Sequence, residues 1–280
     1  MLNIGKQHAR NILKGLRRRG KRNLFWWQGP PYNAGDWVGP FLFKAITGQE
    51  PRHRTPSNRS TSTVFLTVGS LTRWICEDSI VWGSGLLDRD ETFWQPYETY
   101  AVRGPYTRER FLELGYPCPP VFGDPAILLP RFYHPTSAIR YRIGIVPHYS
   151  AIDDAKTLYE GDAEIHVIDI REPLEAVITQ ILSCGHIASS SLHGLIFAHS
   201  YGVPAALIEF SKKAGGDGVK FLDYYGSGGV QSVPQSLYVD RKVPVLALEQ
   251  YIESIPQPNL APLIEPLLDA CPFNPREAVD

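Results

Sequence analysis

The sequence predicts an α/β protein built from two doubly wound domains with parallel sheets. Short apolar runs alternate with segments of helical periodicity, a pattern typical of parallel strands joined by helices. This periodicity is lost across residues 131–140, between Pro130 and the segment after Pro135, and then restarts. We therefore expect an N-terminal domain over residues 23–132, a C-terminal domain over residues 133–280, and a ligand cleft between them.

The composition indicates a globular protein without metal. Of its 280 residues, 43% are hydrophobic and 20% are charged. Its four cysteines are scattered, with no CxxC pair and no metal-ligand spacing to histidine, which favours reduced, packed thiols. No apolar run approaches the roughly 20 residues that span a bilayer, and no secretory signal is recognisable. We expect a cytoplasmic location.

Residues 1–22 form a basic arm on an otherwise acidic chain. The arm contains eight Lys or Arg and no acid, whereas the rest of the chain contains 20 basic and 29 acidic residues. Such an arm favours contact with an anionic surface, either lipid headgroups or nucleic acid. We expect peripheral contact with an anionic membrane rather than nucleic acid, and the alternative is a solvated terminus.

The elements of the N-terminal domain follow in order. A first buried strand, Leu24–Trp27, opens into a Gly/Pro-rich loop, and polar residues 49–62 are predicted to be a surface loop. Pro105 fits the first position of a helix that runs to Gly115. The further predicted elements are a helix from Val38 to Ile46 and strands at Val64–Val68, Ser79–Trp82 and Tyr100–Val102.

Two charged side chains of this domain are placed at strand ends. Asp36 begins the first helix, either as its N-cap or as a carboxylate at the crevice where α/β sheets bind ligands. Arg103 follows the strand Tyr100–Val102, where a guanidinium can clamp a carboxylate or phosphate with two hydrogen bonds. The alternative for Arg103 is a structural ion pair.

The C-terminal domain repeats the alternation of strands and helices. Strands are predicted at Ile143–His148 and Ile165–Asp169, and Pro173 opens a helix that continues through Leu182. After the segment that contains His193, one or two terminal helices are expected from Val243 onward, packing across the domains.

The stretch from Ser183 to Glu209 organises the chain. It predicts a buried strand, a tight polar turn, a helix ended by Gly202 and Pro204, and a second strand. Backbone N–H groups and the helix dipole make such a turn an anion site, with the serine hydroxyls as further donors. His193 adds a group that carries a proton near neutral pH. The alternative is a capped helix with a satisfied, half-buried histidine.

Residues 211–225 mix glycine, lysine and aromatic residues. Lysines on a glycine-rich loop, Lys220 among them, suit a phosphate or a phosphorylated sugar, and Tyr224 and Tyr225 can stack on a sugar ring. The alternative is an exposed loop anchored by Phe221.

Seven motifs, in order between Asn33 and Tyr225, resemble the polysaccharide pyruvyltransferases, most of all the ketal-pyruvate transferases of bacterial exopolysaccharide synthesis. They are Asn33-x-Gly35-Asp36, Trp82-Gly83-Ser84-Gly85, Val102-Arg103-Gly104-Pro105, Gly123-Asp124-Pro125-Ala126, Val146-Pro147-His148, Ser190-Ser191-Leu192-His193-Gly194 and Gly216-Asp217-Gly218-x-Lys220-Phe221. Ser191 stands where some members of the family have arginine.

The resemblance implies two Rossmann-like domains facing a cleft, as in glycosyltransferases of the GT-B architecture. The implied activity moves the pyruvyl group of phosphoenolpyruvate onto two hydroxyls of one sugar, giving a cyclic ketal and free phosphate. Phosphoenolpyruvate is then a co-substrate, no other cofactor or metal is required, and the acceptor is a lipid-linked or nucleotide-linked saccharide.

Residue roles follow from that chemistry, which needs an acid, a base and groups that bind anions. His193 and Asp36 are the candidate acid and base, in either order. The remaining candidates fall into two groups by ligand. Donor contacts are expected from Arg103, His148, Ser190, Ser191, Gly194 and Lys220, and acceptor contacts from Asn33, Trp82, Ser84, Tyr224 and Tyr225.

Two other functions compete with this interpretation. One is a glycosyltransferase of similar fold that uses a nucleotide-sugar donor, and the other is a sugar-binding scaffold without catalysis. A scaffold does not need Asp36, Arg103 and His193 together.

Overall fold

The computed structural model describes residues 22–211, 215–232 and 235–273. Residues 1–21, which make up nearly all of the predicted basic arm, lie outside these ranges. Within them the chain forms two sheets of five strands, and every strand pair is parallel. The protein is therefore composed of two parallel-sheet α/β units, as its alternation of strands and helices predicts.

The first sheet has the strand order β2-β1-β3-β4-β5. Helices cover it, so its central strands are buried on both faces and read as continuous apolar runs. Its elements in chain order are β1 (Asn23–Phe25), α1 (Val38–Thr47), β2 (Arg52–His53), β3 (Val64–Leu66), β4 (Ser79–Trp82), β5 (Glu98–Ala101) and α2 (Pro105–Glu113).

The second sheet has the order β10-β9-β8-β6-β7. Its elements are β6 (Tyr141–Val146), α3 (Ile152–Tyr159), β7 (Ile165–Val167), α4 (Leu174–Leu182), β8 (Cys184–Ser189), α5 (Leu192–Ser200), β9 (Ala205–Glu209), α6 (Val219–Ser227) and β10 (Leu237–Tyr238). Helix α5 is buried all round from Leu192 to Ala198, which explains its consecutive apolar positions.

Two helices end the described chain, α7 (Val245–Ser254) and α8 (Ala261–Asp269). The segment that contains α8 returns to the first sheet. The indole N–H of Trp82 donates to the carbonyl of Leu267 at 2.9 Å, and the ring of Phe273 contacts Phe43 and Phe65. The described segment that ends at Phe273 thus packs against the N-terminal sheet.

The structure differs from the sequence prediction in several elements. The predicted glycine-rich loop becomes helix α6 from Val219 onward, because apolar and aromatic residues spaced at helical intervals bury one side of it. The polar segment 49–62 contains the short edge strand β2, and β10 and α3 were not predicted. No helix among the described residues has the length and apolar character needed to cross a membrane.

Candidate active site

Both sheets have the same strand order when each is counted from its own first strand. In each, the second strand lies outside the first, so the chain reverses direction across the sheet between the first and third strands. Ligands of open α/β sheets bind beside such a switch point, at the carboxyl ends of the strands. The loops after β1 and β3, and those after β6 and β8, are therefore the expected ligand loops.

These four loops line one cavity of about 380 Å³. Asp36 comes from the loop after β1, Ser70 follows β3, His148 follows β6 and His193 follows β8. Lys220 from helix α6 completes the polar lining. The cavity thus collects side chains from both parallel-sheet units, and the most distant of them, Trp27 and Lys220, lie 193 positions apart in the sequence.

Asp36 lies in the short helical turn Ala34–Trp37, where Asn33 provides the cap by accepting the N–H of Gly35 at 3.0 Å. Burial raises the pKa of the Asp36 carboxyl to about 6, although the neighbouring His193 acts in the opposite direction. Asp36 is therefore ionised at neutral pH but close to its titration range. This is the state that a general base requires.

His193 packs directly against the backbone of the loop after β1. A Cβ atom on Gly35 would overlap its imidazole ring, so only glycine permits this approach. A Cβ atom on Gly69 would lie 3.7 Å from Cε1 of His193 and 3.9 Å from Oδ1 of Asp36. The two candidate proton-transfer groups therefore flank one point in the cavity.

Asp124 lies behind His193 and was not predicted as a site residue. Its carboxylate is fully buried, with Oδ1 accepting the N–H of Ala126 and Oδ2 lying 3.8 Å from Nε2 of His193. That Nε2 atom is buried without a hydrogen-bond partner. Asp124 therefore places a carboxylate beside an imidazole nitrogen that has no hydrogen-bond partner.

Lys220 is the cation that α6 brings to the cavity. Its ammonium donates to the carbonyl of Gly215 at 2.9 Å. Burial lowers the pKa of Lys220 to about 8, and the charge of Arg103 acts in the same direction. Lys220 remains mostly protonated at neutral pH and would gain from an anionic ligand, since a negative charge restores its pKa.

His148 is neutral at pH 7, because burial and the charge of Lys220 lower its pKa to about 4. Its Nδ1 accepts the N–H of Ser150 at 3.4 Å, so the proton of the neutral ring belongs on Nε2. The N–H of His148 itself donates to Oγ of Ser190 at 2.8 Å. His148 can therefore donate a hydrogen bond to a ligand but cannot act as a cation.

The serine turn after β8 is tightly built. The hydroxyl of Ser189 donates to the carbonyl of Val146 at 2.8 Å and accepts the N–H of Ser191 at 3.1 Å. Ser191 lines the cavity at the start of α5, whereas Ser190 lines a smaller neighbouring pocket. Gly194 does not line the cavity; a Cβ there would overlap the Ser189 hydroxyl.

Arg103 corrects a prediction. Its side chain is fully buried instead of projecting into the cavity, and it donates to Asp223 at 3.0 Å, Ser70 at 2.9 Å and the carbonyl of Leu86 at 2.6 Å. Helix α6 packs over the end of β5, so it covers Arg103 and supplies the carboxylate of Asp223 as its partner. Arg103 is thus a structural ion pair, the alternative that its position also allowed.

Four predicted acceptor contacts are also buried in the core. Trp82 and Ser84 are fully covered, the first by the C-terminal segment and the second by the loop after β3, where its hydroxyl donates to the carbonyl of Gly69 at 2.9 Å. Tyr224 and Tyr225 are fully buried because they lie on the packed face of α6. Of the acceptor candidates, only Asn33 lines the cavity.

The sequence analysis missed four aromatic or charged side chains that line the cavity: Trp27, Arg73, Trp74 and Tyr149. Trp27 was assigned to the first strand, which ends two residues earlier at Phe25. Arg73 carries two acidic partners, Asp88 and Glu91, and so does not add an uncompensated charge. Trp27 and Tyr149 lie two and three residues beyond the ends of β1 and β6, and aromatic residues at such strand ends were the signal available.

Two known proteins and one protein family are similar to this chain. A protein of Acanthamoeba polyphaga mimivirus described only as uncharacterized is 32% identical over 208 residues, which cover 71% of this chain and 72% of that protein. A crystal structure of a functionally uncharacterized Klebsiella pneumoniae protein aligns with 84% of this chain and 98% of its own, at 14% identity and a TM-score of 0.45. The family model for polysaccharide pyruvyl transferase matches residues 10–211. This match spans the motifs from Asp36 to His193, and the chain belongs to the polysaccharide pyruvyl transferase family.

Proposed function

We propose that the protein transfers the pyruvyl group of phosphoenolpyruvate to two hydroxyls of one sugar in a polysaccharide precursor. The observation that carries this proposal is the joint placement of Asp36 and His193 at one point of a cavity that also contains the ammonium of Lys220. Loops at the carboxyl ends of strands from both sheets line this cavity, which supports the GT-B-like arrangement that the resemblance implies.

The donor binds on the side of the second sheet. Phosphoenolpyruvate carries a phosphate and a carboxylate, and the anion-binding groups are Lys220, the ring Nε2–H of His148 and the start of α5 at Ser191. No group of three or more His, Cys, Asp or Glu within the described ranges is arranged to hold a metal ion. We assign the charges of the donor to Lys220, the side chain of His148 and the start of α5.

The chemistry then divides between the two sides of the cavity. His193, beside the donor, gives its proton to the methylene carbon, which becomes a methyl group and leaves an oxocarbenium-like centre on the adjacent carbon. Asp36 accepts the proton of the first sugar hydroxyl as its oxygen attacks that centre. Phosphate departs with the electron pair of its C–O bond. The second hydroxyl closes the ring as its proton is released, so the two hydroxyl protons replace those taken up by the methyl group and the phosphate.

A melting-temperature measurement tests the donor. Phosphoenolpyruvate at 100 times its dissociation constant adds about 2.7 kcal/mol to the free energy of unfolding. We expect it to raise the melting temperature of the wild type and of His193→Ala, but much less that of Lys220→Met. A shift caused by nucleotide sugars and not by phosphoenolpyruvate would instead support the glycosyltransferase alternative.

We further propose that the basic arm holds the enzyme at an anionic membrane, where lipid-linked acceptors lie. Each Lys or Arg near such a surface contributes about 1 kcal/mol. Deletion of residues 2–22 should abolish sedimentation with anionic vesicles at low salt, and unchanged sedimentation of the truncated protein would refute this role.

A further inference from the structure

The cavity has an aromatic wall that the donor chemistry does not use. The indole of Trp27 is 43% exposed and that of Trp74 is 36% exposed, with ring centroids 5.8 Å apart. Tryptophan is strongly buried on average, so two water-facing indoles side by side are unusual. In the part of the chain that the structure describes, nine large hydrophobic side chains are exposed, and three of them line this cavity: Trp27, Trp74 and Tyr149.

Both indoles are held in place by their surroundings. A Cβ atom on Gly29 would overlap the ring of Trp27, so this indole lies directly on the backbone of the Gly/Pro-rich loop. The ring of Phe25 contacts that of Trp74 from behind, with centroids 5.4 Å apart. Rings that are already fixed lose little entropy when a ligand binds, which makes them effective contact surfaces.

The chemistry of the wall does not match the donor. Phosphoenolpyruvate is a small anion with no extended apolar face, and the π face of an indole carries negative electrostatic potential that repels anions. A pyranose ring is the opposite case. One of its faces presents several C–H groups that pack against an aromatic ring, while the hydroxyls at its edge stay free to make hydrogen bonds.

The position of the wall also separates it from the donor groups. Trp27 and Trp74 follow β1 and β3 of the first sheet, whereas Lys220 and Ser191 come from the second half of the chain. Trp27 shares its loop with Asp36, the proposed base. A sugar on the wall therefore occupies the same cavity as the carboxylate proposed to deprotonate it.

We propose that Trp27 and Trp74 form the binding platform for one pyranose ring of the acceptor saccharide, whose reacting hydroxyl pair points toward Asp36. The proposal rests on the proposed pyruvyl transfer for the identity of the acceptor. It replaces the buried tyrosines of α6 as the aromatic contact for the sugar.

Direct sugar binding tests the platform without the reaction. The probes are the methyl and octyl pyranosides of galactose, glucose and mannose, titrated against the full chain by ligand-observed NMR in the absence of donor. The variants are Trp27→Ala and Trp74→Ala. Trp94→Ala is the matched control, because Trp94 is 49% exposed and does not line the cavity.

We expect at least one methyl pyranoside to bind the wild type and Trp94→Ala with equal affinity. The affinity of the same pyranoside for Trp27→Ala and for Trp74→Ala should be lower by about 10-fold or more. Stabilisation by phosphoenolpyruvate should be unchanged in all three variants. The same two platform variants should show a raised acceptor KM with little change in donor KM.

Two results would overturn the platform. One is that no methyl pyranoside binds the wild type, or that each one that binds does so equally well to Trp27→Ala and Trp74→Ala. The other is binding of octyl but not methyl pyranosides, which would make the wall a site for an alkyl chain. Failure of phosphoenolpyruvate to stabilise the wild type would refute the proposed donor, but the pyranoside titration would still decide the platform.

Discussion

Two residues of the cavity have pKa values on either side of neutral pH. Asp36 has its pKa raised to about 6, and Lys220 has its pKa lowered to about 8, both chiefly by burial. Between these values the base is ionised and the donor-binding ammonium is still charged. Outside that range one of the two groups is in the wrong state.

We therefore predict a bell-shaped dependence of kcat/KM for the donor on pH. Activity should rise through about pH 6 as Asp36 loses its proton, and fall through about pH 8 as Lys220 loses its proton. Lys220→Met should lower donor affinity and remove the alkaline limb. A profile that is flat from about pH 5 to pH 9 would show that neither residue contributes as proposed.

Asp124 provides a second test at the scale of single residues. Since Oδ2 of Asp124 lies 3.8 Å from Nε2 of His193, Asp124→Asn should remove the negative charge beside the imidazole that is the proposed acid. The amide oxygen can still accept the N–H of Ala126, so the fold should remain. We predict a loss in kcat of about 10- to 100-fold, part of the ~10²–10⁴ that a positioned proton-transfer group supplies.

The donor KM of Asp124→Asn should stay close to that of the wild type, because Asp124 does not line the cavity. Kinetics at several pH values and an unfolding curve would separate this outcome from damage to the fold. An unchanged kcat in a folded Asp124→Asn variant would show that Asp124 serves only as a structural cap.

At the scale of elements, helix α6 joins the two halves of the chain. Its Asp223 receives the guanidinium of Arg103 from the end of β5, and also accepts the backbone N–H of Thr107 in α2 at 2.9 Å. Gly104 permits the close approach, since a Cβ there would overlap the backbone of Asp223. The same helix presents Lys220 to the cavity, so this contact positions the cation that we propose to bind the donor.

Arg103→Ala should therefore act first on stability. Removing one partner of a buried ion pair costs about 3–5 kcal/mol, whereas an exposed pair contributes about 0–1 kcal/mol. Arg131→Ala is the matched control, because Arg131 pairs with Glu265 at the surface. Denaturant unfolding should show the large loss only for Arg103→Ala. If Arg103→Ala has wild-type stability but binds the donor more weakly, then Arg103 contacts the donor directly.

The elements also show what the sequence was able to predict. Strands that are covered on both faces consist almost entirely of apolar residues. Apolar runs therefore predicted the central strands around Phe65 and Ile187. The same argument placed Trp27 in the first strand, which was wrong. The apolar pattern does not distinguish a residue inside a strand from one just beyond its end. Helix α6 was missed because its aromatic residues follow several glycines, and a glycine-rich sequence predicts a loop.

The candidate site was predictable only in part for a related reason. His193 and Asp36 were found because polar residues at the carboxyl ends of strands stand out in an apolar context. Arg103 has the same sequence signature, but its burial depends on Asp223, which lies 120 positions away. Which strand-end charge faces a ligand and which faces a partner is decided by long-range packing.

At the scale of the whole molecule, two sheets of equal strand order contribute to one cavity. The first sheet supplies the proposed base and the aromatic platform, and the second supplies the proposed acid and the donor contacts. A reaction that joins two different substrates suits this division, because each substrate meets its own half of the chain.

The most direct test of the account is product analysis with phosphoenolpyruvate and a panel of lipid-linked and nucleotide-linked saccharides. The account predicts that the wild type releases one phosphate for each acceptor molecule that gains the mass of one pyruvate less one water. Folded Asp36→Asn and His193→Ala should bind phosphoenolpyruvate but form no such product. Wild-type turnover by folded His193→Ala, or phosphate release with the acceptor mass unchanged, would contradict it.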